Sequence, residues 1–254
     1  MRRKTGPGQT HLFVDRVTLD TLEAVPKVRV RWKTTYRLHL DRYPPVDYFE
    51  RIAIVEDRIV LNDLEKLTDP VERQRIGQIS LVPTGKRVFG KGASGLMGPF
   101  THASKRNPSR FTDGSYGVYY AGRRFETALR EVAYHWARFH ARTKDEPTET
   151  TFKVLTASID KVMHDIRSGS WSEMLDPDPA NYARPQAFAT QLKDTLSSNG
   201  IVYPSVRHSS GECIAAFWPN VIKFISDDRR VALKWDGKTI TSWFGFDTHG
   251  WSPL

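Results

Sequence analysis

Arg110, Tyr120 and Glu131 lie within one stretch, SRFTDGSYGVYYAGRRFETALREVAYH, that runs from Ser109 to His135. The glutamate follows the second of two adjacent tyrosines, Tyr119 and Tyr120, by eleven residues. An arginine fork can grip a pyrophosphate through parallel hydrogen bonds. A tyrosine can stack on a flat ring or donate from its hydroxyl. A carboxylate can bond ribose hydroxyls and stabilise oxocarbenium-like charge. Together these residue types suit a nucleotide with a glycosidic bond. The plain alternative is a solvated glutamate on the polar side of a helix, paired with Arg138 or another exposed base.

A strand, a turn and a helix must position these groups. Tyr116–Ala121 reads as a strand. Residues 124–142 read as a helix, with Leu129, Val132, Ala133, Trp136 and His140 on one face. Glu131 falls roughly opposite that stripe, in line with Thr127, His135 and Arg138. Upstream, Val28, Val30 and Trp32 alternate with Arg29, Arg31 and Lys33, a half-exposed strand pattern. Arg37 lies on or just after that strand, which Pro44-Pro45 ends. Residues 1–10 read as disordered, and 46–66 as a short helix with acidic connectors. Residues 83–108 are rich in Gly, Pro, Ser and Lys and read as a long loop. Its GKGASG lacks the spacing of a phosphate-binding P-loop.

Downstream, residues 152–162 suggest a strand. A helix opens at Pro185, with Phe188, Leu192 and Leu196 on one side and Gly200 placed to cap it. IVYPSV reads as a strand and ECIAAFWPNVIKFI as one or two. Asp236-Gly237 signals a hairpin. Strands and helices are mixed without strict alternation, so the expected class is α+β.

The chain has 254 residues, 39% of them hydrophobic and 11% aromatic, enough for a real core and against a disordered chain. No apolar run is long enough to span a membrane, and the basic N-terminus lacks the apolar segment of a secretory signal. A single cysteine, Cys213, rules out an intramolecular disulfide framework and points to a reducing cytoplasm. Placed in an apolar stretch, it reads as a buried, inert thiol. The net charge of +9 favours anionic partners, but it is spread along the chain and gathers into no basic block. Glu131 and His135 stand four apart on the helix, a pair more often a surface hydrogen bond than a metal site, so no metal is expected. Ser205 and His208 lack the setting of a serine hydrolase.

Four segments in order resemble the RES-domain proteins, toxins of bacterial toxin–antitoxin pairs, over roughly residues 35–225. YRLHLDRYPP resembles the opening arginine segment, with Arg37 at the family position and Arg42 as a competitor. SRFTDGSYGVYYAG resembles the second arginine and the strand ending in tyrosine-alanine, which places Arg110 and Tyr120, with Tyr119 as a competitor. FETALREVAYH resembles the helix carrying the family glutamate, at Glu131. GIVYPSVRHSSGECIAAFWP resembles the glycine-to-serine segment, at Ser205. The gap between Arg37 and Arg110 is much longer than in compact members.

The resemblance implies an α+β fold, a compact mixed sheet with flanking helices similar to the ADP-ribosyltransferase toxins. It implies cleavage of the nicotinamide–ribose bond of NAD+, which enters as substrate with no other cofactor. Water, phosphate or a protein side chain is the acceptor. Arg37, Arg110, Tyr120, Ser205 and Arg42 would bind NAD+, with Arg37, Glu131 and Tyr120 catalytic. The implied partner is a cognate Xre-like antitoxin, through which alone nucleic acid is reached, in a hetero-oligomer. The expected layout is an N-terminal extension (1–34), a RES domain (35–225) and a C-terminal β-hairpin extension (226–254). A mono-ADP-ribosyltransferase and a basic nucleic-acid-binding protein or nuclease are the competing readings.

Overall fold

A computed structural model describes residues 19–42, 46, 49–50, 70–169 and 171–254. The expectations for residues 1–10 and for Pro44-Pro45 lie outside the described residues, as does most of the 46–66 segment.

Two long strands form the axis. In β1 (Lys27–Leu40) Val30 and Trp32 are buried while Lys27, Arg29, Arg31 and Lys33 are exposed, the period of a half-buried strand. It pairs antiparallel with β3 (Thr148–Asp165) from Lys27↔His164 to Leu40↔Phe152, with one register shift between Trp32 and Thr35. On the far edge of β3, β6 (Ile222–Trp235) begins a meander through β7 (Ile240–Gly245) to β8 (Gly250–Pro253). Asp236-Gly237 turns between β6 and β7, with Gly237 at φ 96°.

The same edge of β3 also takes β4 (Gly200–Pro204), parallel, at His164 and Asp165. Next come β5 (Glu212–Ala216) and then β2 (Tyr119–Gly122), which returns to β1 through Tyr36↔Gly122. The pairings thus close a ring in the order β1, β2, β5, β4, β3. The fold is α+β, as expected. Both expected domain boundaries fall inside or beside strands: β1 runs through 34/35 and β6 through 225/226.

Five helices flank the sheet among the described residues: α1 (Leu19–Glu23), α2 (Pro70–Ile76), α3 (Ala93–Thr101), α4 (Phe125–Thr143) and α5 (Ala183–Thr195). α3 packs Leu96, Met97 and Phe100 into a core shared with Val30, Tyr119 and Leu155. α5 seats Phe188 and Leu192 against Ile201, Tyr203 and Cys213. α4 seats Leu129 and Ala133 against Phe152, Val154 and Leu233, with Val132 and Trp136 at the margin, so the expected apolar stripe is the packed one.

Two expectations are corrected. The 83–108 segment is not an unstructured loop, because α3 and one short 3-10 turn (Thr84–Lys86) occupy nearly half of it. Gly95, Gly98 and Pro99 lower its helix propensity, and burial of the apolar face overrides that. Gly200 does not cap α5. Ser197 takes the left-handed conformation (φ 49°) after the helix, and Gly200 opens β4.

α3 sits close to the segment that leads into β2. A Cβ on Gly117 would lie 2.2 Å from Phe100 Cα and 2.3 Å from the Pro99 carbonyl oxygen, both backbone atoms of α3. Gly117→Ala is therefore expected to lower stability by about 1–3 kcal/mol, read as a reduced midpoint in denaturant unfolding. An unchanged midpoint would show that α3 and this segment are not held in contact.

Candidate active site

A cleft of about 940 Å³ opens where α3, α4 and β1 meet. Arg37 and His39 of β1 line it, with Val132, His135 and Trp136 of α4 and Gly98 of α3. Lys153 and Arg75 add positive charge, against Glu50 and Asp227. At the head of α3 the amides of Gly92 and Ser94 donate to the Glu50 carboxylate at 2.7 and 2.9 Å. The GKGASG amides thus already hold an internal carboxylate.

Arg37 projects from β1 and donates to the Tyr120 carbonyl oxygen at 3.2 Å. Its guanidinium lies 5.3 Å from the Tyr119 ring centre, and burial lowers its pKa. Arg42 sits in the exposed turn after β1 and does not line the cleft. Of the two arginines left open by the sequence, Arg37 is the one at the cleft.

Successive side chains of β2 point to opposite faces. Tyr119 is fully buried, and burial raises the pKa of its phenol. The Tyr120 hydroxyl accepts from the Phe111 amide at 3.0 Å and pairs with the Ser109 hydroxyl at 2.8 Å. Burial pushes its pKa up to about 12, so the phenol is neutral near pH 7. Ser109 lines the cleft and connects Tyr120 to it. Arg110 is 6% exposed. It donates to the carbonyl oxygens of Met174 (3.2 Å) and Asp176 (2.7 Å) and to the Tyr182 hydroxyl (3.3 Å). Its guanidinium also stacks 4.7 Å from the Tyr182 ring centre.

Glu131 is half-buried and meets Ser205, whose hydroxyl donates to its Oε1 at 2.5 Å. The direction is fixed because the Ser205 oxygen already accepts from the amides of Arg207 (3.2 Å) and His208 (3.0 Å). The solvated pair with Arg138 is not formed. Glu131 and Arg110 are joined by shared neighbours rather than by a contact. The charges of both act on the buried Tyr203 phenol and Cys213 thiol, whose pKa values burial raises first. Cys213 is buried and free, as read from the sequence.

His135, one turn beyond Glu131, opens on the cleft, so its ring is exposed there while protein surrounds the rest. That burial, followed by the charges of Arg207, Arg138 and Arg110, pushes its pKa down to about 4. Arg207 and Ser109 were not singled out in the sequence. Their signal was adjacency alone, to Ser205 and Arg110. Arg207 stacks 3.4 Å from the Tyr134 ring centre and donates to the Pro177 carbonyl oxygen. Among the described residues no group of three His, Cys, Asp or Glu is placed to hold a metal, and no helix is long and apolar enough to cross a membrane.

Arg207→Gln is expected to raise the His135 pKa from about 4 toward the ordinary 6.5, followed by NMR titration of the imidazole. His135 gains its proton in the unfolded chain first. Its contribution to stability is full above pH 6.5 and lost as the pH falls toward 4. A His135 pKa unmoved by the substitution would show that the Arg207 charge does not reach the cleft.

Three of the four segments that carried the resemblance lie at β2, α4 and the loop after β4, and comparison with known proteins bears on the same region. No curated protein matches the chain. A solved structure titled as the crystal structure of the M. tuberculosis MbcT–MbcA toxin–antitoxin complex aligns at 13% identity and a TM-score of 0.41. It covers 88% of this chain and 92% of that one. At that distance no residue is carried across. The family model of the RES domain matches residues 85–236, which takes in Arg110, Tyr120, Glu131 and Ser205 and leaves Arg37 upstream. That match covers well over half of the sequence, and the chain belongs to the RES domain family.

Proposed function

We propose that this protein is the toxin of a toxin–antitoxin pair and that it cleaves the nicotinamide–ribose bond of NAD+. The observation that carries the reading is the Glu131 carboxylate, fixed by the Ser205 hydroxyl at 2.5 Å on the helix whose Val132 and His135 line the cleft together with Arg37, although Glu131 and Ser205 are not themselves among the lining residues. Ser205 engages Oε1 and leaves Oε2 for the ribose hydroxyls. The nicotinamide of NAD+ departs from a cationic ring as a neutral base, so departure needs no strong general acid. His135, with a pKa near 4, is neutral at pH 7 and supplies none. The work left to the protein is electrostatic and positional. Glu131 would stabilise the oxocarbenium-like charge and hold the ribose. Tyr120, tied through Ser109 to the cleft, would set the nicotinamide-ribose. Arg37 would supply positive charge to the pyrophosphate from the cleft lining, Arg110, buried and outside that lining, would act through its field alone, and Arg42, in the exposed turn after β1, has no role in this reading.

Water or phosphate would accept the ADP-ribosyl group. Loss of NAD+ would arrest growth, and an Xre-like antitoxin would bind the chain and block the cleft. Family membership and the basic charge of +9 support an anionic substrate and partner.

Incubated with NAD+, the purified chain is expected to release free nicotinamide, and Glu131→Gln to slow release by about 10²–10³-fold. Absence of nicotinamide at high enzyme concentration would end the NAD+ reading. Full activity in Glu131→Gln would end the site assignment instead. Label from NAD+ on a macromolecule, rather than on free ADP-ribose or its phosphate, would move the reading to ADP-ribosyl transfer.

A further inference from the structure

The loop that carries Ser205 spans residues 205–211, between paired ends of β4 and β5 at Pro204↔Glu212. It is closed internally, because the Ser205 amide donates to the Gly211 carbonyl oxygen (2.8 Å) and the Gly211 amide to that of His208 (2.9 Å). Two pins fasten it to α4. One is Ser205 to Glu131. The other is His208 Nδ1 to Thr127 Oγ1 at 2.9 Å. Thr127 and Glu131 are four apart on the helix, so both pins use one face, a turn from each other. Gly211 closes the gap: a Cβ there would lie 2.9 Å from Thr127 Cγ2 and 3.0 Å from His208 Nδ1.

We propose that Thr127 and His208 are positioning residues for Glu131, setting the place of the Ser205 hydroxyl and through it the orientation of the carboxylate. This rests on the assignment of Glu131 as the catalytic carboxylate. His208 Nδ1 and the Thr127 hydroxyl share one hydrogen bond in which the ring tautomer sets the donor, and His208 Nε2 stands 3.6 Å from Glu126 Oε1. Acid, imidazole and hydroxyl follow one another as in a nucleophile relay. Thr127 has no exposed surface, however, so no substrate reaches its oxygen. The His208 amide also donates to Ser205 Oγ, so moving His208 moves the atom that holds Glu131.

The experiment compares wild type with Thr127→Val, Thr127→Ser, His208→Ala and His208→Asn. An asparagine amide can stand where Nδ1 does. Nicotinamide release is expected to fall about tenfold in kcat for Thr127→Val and His208→Ala, with KM held within about twofold. Thr127→Ser and His208→Asn are expected to recover most of that loss. In a Glu131→Gln background, His208→Ala should cost nothing further. A separate readout needs no activity. Exchange of the Arg207 and His208 amides should quicken about tenfold in Thr127→Val and His208→Ala, and stay at the wild-type rate in the two conservative variants. Full kcat in folded Thr127→Val and His208→Ala would overturn the proposal, as would loss confined to KM or unchanged amide exchange. If wild type itself releases no nicotinamide, the NAD+ reading falls and amide exchange alone decides the positioning claim. His208→Ala, which leaves the fully buried Thr127 in place, carries the test if Thr127→Val does not fold.

Discussion

The Ser205 oxygen accepts two backbone amides, from Arg207 and His208, so its proton has one direction left. That direction is Glu131. A hydroxyl with free lone pairs could rotate and share its bond with water. This one is a committed donor, and the carboxylate is held by a group that cannot turn away. Strand order makes the meeting possible. β4 and β5 pair antiparallel, their connecting loop stands beside α4, and β2 leads from the other edge of β5 into α4. The core formed by α5 with β4 and β5 fixes that hairpin from behind, through Phe188, Leu192, Ile201 and Tyr203.

The alternation of β2 divides the site. Tyr119 faces the core that contains Leu155 and Met97, and Arg37 lies over its ring. Tyr120 packs against the core that contains Phe111, Tyr203 and Cys213, where Arg110 and Glu131 exert their charges. Arg37 and Tyr120 still meet, but through the Tyr120 main-chain oxygen and not its ring. The tyrosine in this arrangement is a junction. Its carbonyl holds the arginine of one side, and its hydroxyl holds the Phe111 amide and Ser109 of the other.

What the sequence exposed was periodic. The α4 stripe, the polar position of Glu131, the Asp236-Gly237 hairpin and the alternation of β1 all follow from short-range pattern, and all are present. The helix at Ala93–Thr101 was hidden because its two internal glycines and a proline speak against a helix, while its reward, Leu96, Met97 and Phe100 in a shared core, comes from distant strands. The fate of Glu131 was hidden for the same reason. Its partner is 74 residues away, so local spacing offered Arg138 instead. The resemblance named Ser205, but only the fold shows that its oxygen is saturated. Arg110 is the clearest case of long-range control, with acceptors 64 to 72 residues downstream.

That environment gives Arg110 a particular electrostatic character. Its acceptors are two carbonyl oxygens and a phenol, which satisfy N–H groups without cancelling the charge. A carboxylate partner would have neutralised it, as Glu212 and Asp165 do for Arg167. The field of Arg110 therefore survives burial and reaches Tyr120, Tyr203, Cys213 and His135. In a low-dielectric setting such a charge acts over longer distances than it does in water. Its fork is oriented by the main chain, so its rotamer is set by the fold. Lysine would keep the charge but not the planar fork that spans two carbonyls and stacks on Tyr182. The buried cluster thus carries a positive group and a negative one, Arg110 and Glu131, each held by neutral partners and neither quenching the other.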